Sequence, residues 1–188
     1  MRHKGQILIV VAVLIPVSLL MLAVAVDAGR LFIERGRMKR AAQAAADAGI
    51  SVVAEQMVTL AVARQTLMAS TPSPTPPGVM TATPFPGDVL AWLHDDDRAT
   101  LVSYAVLGMA ATEAVEYANR NGFDVANPET LAIEVTYPQS GFAPEDANIS
   151  VLRLLVSIRQ RATILLAGLL SDQWVDLIAE GQSEIQQR

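Results

Sequence analysis

The feature that most constrains this chain is an unbroken uncharged run, Ile7–Val26 (ILIVVAVLIPVSLLMLAVAV). At ~1.5 Å per helical residue such a run spans a hydrocarbon core of ~30 Å. Pro16 falls inside it, and a membrane helix tolerates such a proline because neighbouring groups re-satisfy the freed carbonyl. A cleaved signal peptide is the competing reading, since Arg2, His3 and Lys4 form a basic start and Ala23-Val24-Ala25 has the small-x-small form of a cleavage site. The run is longer than a usual signal core, and the residues beyond Val26 continue as helix formers, so a retained span is preferred.

No turn chemistry and no proline interrupts the chain between Val26 and Pro72. The spacing predicts one helix from about Gln6 to Ala69, ~95 Å long. Within it, Ala41, Ala42, Ala44, Ala45, Ala46 and Ala48 give a thin flank, and small residues let a second helix backbone come close. For Ile50–Leu67 the expected cover is the chain's own globular part. For Asp27–Gly49 it is sister or partner helices, through Asp27, Gly29, Arg30, the six alanines and Gly49. Arg2 and Lys4 precede the span and Arg30, Arg35, Arg37, Lys39 and Arg40 follow it, so positive-inside counting would place the C-terminal part in the cytoplasm. Long domains translocate largely regardless of charge, and the count leaves the orientation open.

These residues carry a family resemblance. Gly5-Gln6, the apolar run broken by Pro16, Asp27-Ala28-Gly29-Arg30-Leu31, Met38, Ala41-Ala42 and Ala44-Ala45-Ala46-Asp47-Ala48-Gly49 together resemble the N-terminal signature of TadE/TadG-like proteins, pilin-like accessories of the tight-adherence (Flp pilus) apparatus. The resemblance implies a cytoplasmic N-terminal flank at 1–6, a single-pass span at 7–26, and a stalk at 27–69. A head outside the cytoplasm and a place in, or assisting, an adhesive surface filament are implied as well. So is processing at Gly5–Gln6, although Val10 stands where prepilin-type members carry a glutamate. The implied partners are membrane lipid and other pilin-like or Tad secretion-system subunits. An anchored or secreted extracytoplasmic binding module unrelated to pili is the alternative.

The remaining chain reads as an α+β head at 88–188. Thr71–Gly87 is rich in proline and threonine and is expected to be an extended linker or loop. His94-Asp95-Asp96-Asp97 could hold a metal, but acidic residues before Arg98–Asn121 are better read as capping one helix. In that helix Leu101, Ala105, Gly108, Met109, Thr112, Val115 and Ala118 recur at helical spacing, with Tyr104 and Met109 expected in the core. Gly122 is placed to end it in a left-handed conformation. Thr130–Tyr137, Ile149–Arg161 and Gln173–Ile185 alternate as strands, the last weakened by Gly181. Pro138–Asn148 is a loop, and Thr163–Leu170 a short apolar helix or turn. The result is a helix on a small antiparallel sheet carried by a helical stalk.

The catalytic inventory is thin. There is no cysteine, histidine occurs only at positions 3 and 94, the net charge is −5, and the basic residues are split among several places and form no patch. Thiol chemistry is excluded, and neither a nucleic acid partner, a cofactor, a metal nor a small-molecule substrate is expected; the chain is read as a non-enzyme.

Overall fold

A computed structural model describes residues 3–70, 93–138, 152–164 and 174–185, the side chains of 3–9, 68–70 and 95 excepted. Helix α1 runs from His3 to Ser70 and continues through Pro16. At 68 residues it is ~100 Å long. Two shorter helices come next, α2 (Asp95–Leu101) and α3 (Tyr104–Arg120), then strands β1 (Thr130–Thr136), β2 (Leu152–Thr163) and β3 (Trp174–Ile185). The strands form one antiparallel sheet in the order β1-β2-β3. The expected α+β architecture, a long apolar N-terminal helix with a helix-and-sheet head, is what the chain adopts.

The core lies where α1 passes the head. Met38, Ala41, Ala42, Ala45, Ala46, Val53, Met57 and Ala61 recur every three to four residues along α1 and are all buried. Opposite them Val106, Ala110, Ala114 and Ala118 form a strict i+4 stripe on α3. Leu154, Val156 and Ile158 of β2 and Ala179 of β3 close the layer from the sheet. Alternation on β2 and β3 gives their other face a mixed surface, where Leu155, Ile178 and Trp174 lie among polar residues and register partners Arg153 and Glu184 form an ion pair at 2.9 Å.

Several expectations change. The single helix expected over Arg98–Asn121 is two: α2 stops at Val102, and the Ser103 hydroxyl accepts the Val106 N–H at 3.5 Å to start α3. A serine with a competing side-chain acceptor favours a new N-terminus over a continuous helix. The restart turns α3, so Tyr104 and Met109 lie outside, Tyr104 at 92% exposure, and Val106, Ala110 and Ala114 take the core positions. Gly122 has φ +89 as expected. Of the remaining expectations, the linker at 71–87, the loop at 139–148 and the apolar stretch at 165–170 lie outside the described residues.

Gly181 is the clearest revision. A Cβ there would sit 2.2 Å from the Ala42 carbonyl carbon and 2.2 Å from the Gln43 nitrogen. The glycine is where the backbones of β3 and α1 touch, so it enables the packing that its strand propensity argues against.

Candidate helix-packing surface

Helix α1 divides into three zones by what covers it. Val10–Val26 is exposed along its length, with only Ala23 partly covered. This zone lies in the one described helix long and apolar enough to cross a membrane. Among the described residues nothing packs on Val10–Val26, whose side chains suit a bilayer better than water. Gly5 and Gln6, the expected processing pair, lie in the first turns of the same helix.

The second zone, Asp27–Arg37, is mixed. Asp27 is buried at 6% exposure. Gly29 and Gly36 have no atom within 4 Å of where a Cβ would stand. Phe32 and Ile33 between them are 82% and 64% exposed. Positions 29, 33 and 36 share one helix face, so this stretch carries two small gaps flanking exposed apolar bulk. Arg30 is exposed, and Arg37 pairs with Glu34 at 3.3 Å.

The third zone, Met38–Ala61, is inside the head, and this revises the expected role of the alanines. Ala41, Ala42, Ala45, Ala46, Ala48 and Gly49 are covered by the chain's own α3 and sheet, with Ala44 at the margin. A Cβ on Gly49 would stand 3.0 Å from the Ala110 carbonyl oxygen and 3.3 Å from the Ala114 Cβ. Thin flanks do bring two helices together here, as small side chains allow. Here the neighbour is α3 of the same chain, which occupies this flank together with the sheet.

Three side chains fix the head to α1 or brace it from within, none of them marked by a local sequence pattern. Gln43 donates from Nε2 to the Gln182 carbonyl at 2.9 Å and accepts the Gln182 N–H at 3.3 Å, standing in for a neighbouring strand. Near the far end of α1, Arg64 donates two bonds to the Asp97 carboxylate at 3.0 and 3.2 Å. The Arg64 hydrogen bonds, then that from the His94 backbone N–H, hold the Asp97 carboxyl below its ordinary range, and Arg64 is raised in turn. Asp97 thus serves α1 and the start of α2. Among the described residues no group of three or more acidic or histidine side chains is placed to hold a metal. The third is Tyr137, whose buried hydroxyl donates to the Leu101 carbonyl at 2.8 Å.

With this geometry in place, comparison with known proteins becomes informative. Residues 5–65, nearly all of α1, match the Tad family of Flp pilus-assembly TadE/G-like proteins. No curated protein and no solved structure matches the chain. The match covers the apolar zone, the mixed zone and the whole of Met38–Ala61. It supports a role related to the Flp/Tad pilus, in a family of structural and assembly proteins. With the apolar helix it also supports a membrane-anchored, single-pass chain.

Proposed function

We propose that this TadE/G-like chain is a membrane-anchored pilin-like subunit or assembly factor of a Tad-type pilus, acting mechanically through α1 and presenting its head outside the cytoplasm. The observation that carries the reading is the continuity of α1. One helix joins the uncovered apolar zone Val10–Val26 to the segment Met38–Ala61, around which the head is built. A load or displacement on the membrane zone reaches the head without a hinge, as assembly into or alongside a filament requires.

The face offered to neighbouring helices moves toward the membrane relative to the alanine flank. Its residues are Gly29, Phe32, Ile33 and Gly36, continuing into Val10–Val26. Close helix approach at Gly29 and Gly36, with Phe32 and Ile33 as the inserted bulk, is the packing logic of small-residue membrane interfaces.

Photo-crosslinking residues placed singly at Leu19, Phe32 and Tyr104 of the full chain test this in cells that assemble the pilus. Adducts with Tad-apparatus subunits or sister copies are expected from Leu19 and Phe32 and not from Tyr104. Adducts confined to Tyr104, or none from α1, would overturn the helix-packing mechanism. Mass spectrometry of the mature N-terminus completes the test: a start at Gln6 or an intact N-terminus agrees with an anchored pilin-like chain, whereas a start at Val26 removes the anchor and the reading with it.

A further inference from the structure

The sheet has a defined direction relative to the span. Gly181 of β3 meets Ala42, Gln182 meets Gln43, and Ile178–Glu180 share a groove with Arg35 and Lys39. β3 therefore runs alongside α1 in the same sense, and the end of the sheet at Thr163 and Trp174 points back toward the apolar zone.

At that end a cavity of about 290 Å³ opens between α1, the loop after α3 and the last residues of β2. Arg30, Arg37 and Arg161 bring three guanidinium groups to its wall, and Glu34 and Glu129 two carboxylates. Gln160 also lines it, only 8% exposed, and among the described residues its buried Oε1, like the Oγ1 of its register partner Thr130, has no hydrogen-bond partner. Arg161 lies 3.7 Å from Asp176 and stacks on the Trp174 ring, while Arg30 has no ion-pair partner among the described residues. A buried acceptor without a donor is a cost that most folds avoid.

The height of the cavity decides what can reach it. Arg30 is four residues beyond Val26 and Arg37 eleven, so they stand ~6 and ~16 Å above the end of the apolar run at ~1.5 Å per residue. The headgroup layer of a bilayer is roughly 5–8 Å thick on each side. Arg30 is therefore level with the lipid phosphates, and the cavity extends upward from that layer.

We propose that this cavity is a binding site for the phosphoethanolamine headgroup of a bilayer phospholipid. The guanidinium group of Arg30 binds the phosphate, for which its forked donors are suited. The ammonium lies above it, donating to Glu34 and Glu129. Phosphocholine has no N–H to give these acceptors, and phosphoglycerol has no cation for the carboxylates. The inference rests on the membrane-anchored reading of α1 but not on the pilus role.

Native mass spectrometry of the full chain released from detergent, with phosphatidylethanolamine, phosphatidylcholine and phosphatidylglycerol of matched acyl chains, tests it. Phosphatidylethanolamine is expected to be retained about tenfold over either of the others, the scale of one charge-assisted contact. Arg30→Gln, at an exposed position, lowers that retention about tenfold. Glu129→Gln, which removes a carboxylate from the wall at an exposed position, lowers the preference severalfold while the melting transition is unchanged. Equal retention of the three lipids, or retention indifferent to both substitutions, would overturn the site. Competition by soluble O-phosphoethanolamine or inorganic phosphate at the lipid's own concentration would overturn the bilayer as its source. Failure of the crosslinking test leaves these readouts untouched, so the two claims fail separately.

Discussion

Gly181 and Gly108 have opposite relations to the packing, and a matched pair of substitutions separates them. Gly181→Ala drives a methyl into the backbone of α1, 2.2 Å from the Ala42 carbonyl carbon, where no flexible side chain can give way. The loss is expected to reach or exceed ~3 kcal/mol, the upper end of overpacking costs. Gly108→Ala meets nothing within 4 Å on α3 and replaces a helix-interior glycine. It is expected to stabilise by roughly 0.5–1 kcal/mol. Thermal melts of both full-length variants in one detergent check the pair. Tyr137 supplies a residue-scale pH test. Burial pushes its phenol from 10.0 up to about 12, so the folded state keeps a proton that the unfolded chain loses first. Stability from this group is complete below about pH 10 and is lost as the pH rises from there to about 12. Tyr137→Phe should flatten the fall in melting temperature over that window, while costing ~1 kcal/mol at neutral pH for the bond to Leu101.

Among the elements, the contact between α1 and the rim of the sheet carries the next prediction. β3 is an edge strand, and Gln43 occupies one of its outward-facing positions with both halves of its amide. Gln43→Ala is expected to cost ~1 kcal/mol and to speed amide exchange at Gln182, read by hydrogen-exchange mass spectrometry. The same contact changes how substitutions in the alanine flank must be read. Leucine at Ala42 or Ala45 overfills the seam between α1 and the head, so lost assembly in such variants reports a damaged head and not a lost sister contact. Substitutions at Phe32 or Ile33, which touch no core, report on assembly itself. At the other end of α1 the Arg64–Asp97 pair ties the stalk to α2. Because Asp97 titrates below its ordinary value, that tie holds above the usual carboxylate range and is lost as the pH falls through the depressed value.

For the whole molecule, every buried apolar residue of α1 lies at or beyond Met38, and the apolar zone contributes none. The head should therefore fold without its span. A chain starting at Asp27 is expected to be soluble and to melt within a few degrees of the full protein, as circular dichroism would record. Unfolding of that fragment would mean that the span holds the head together by contacts outside the described residues. The full chain, by contrast, needs the bilayer because Val10–Val26 exposes an unbroken apolar surface that nothing else in the structure covers.

The sequence alone determined α1 almost to the residue, expected over 6–69 and found over 3–70, because helix formers without turn residues leave the backbone no competing structure. It also determined the three strands to within a few residues and the left-handed end of α3, since alternation and glycine act locally. What covers each face was decided only by the tertiary structure. The same alanines serve a sister helix or the chain's own α3 equally well, because small side chains specify closeness without specifying a partner. The touch of Gly181 on Ala42 and the cavity beneath Gln160 depend on residues far apart in the chain meeting in space. No local pattern encodes such a meeting; it is fixed when the sheet, running parallel to the stalk, is pressed against it.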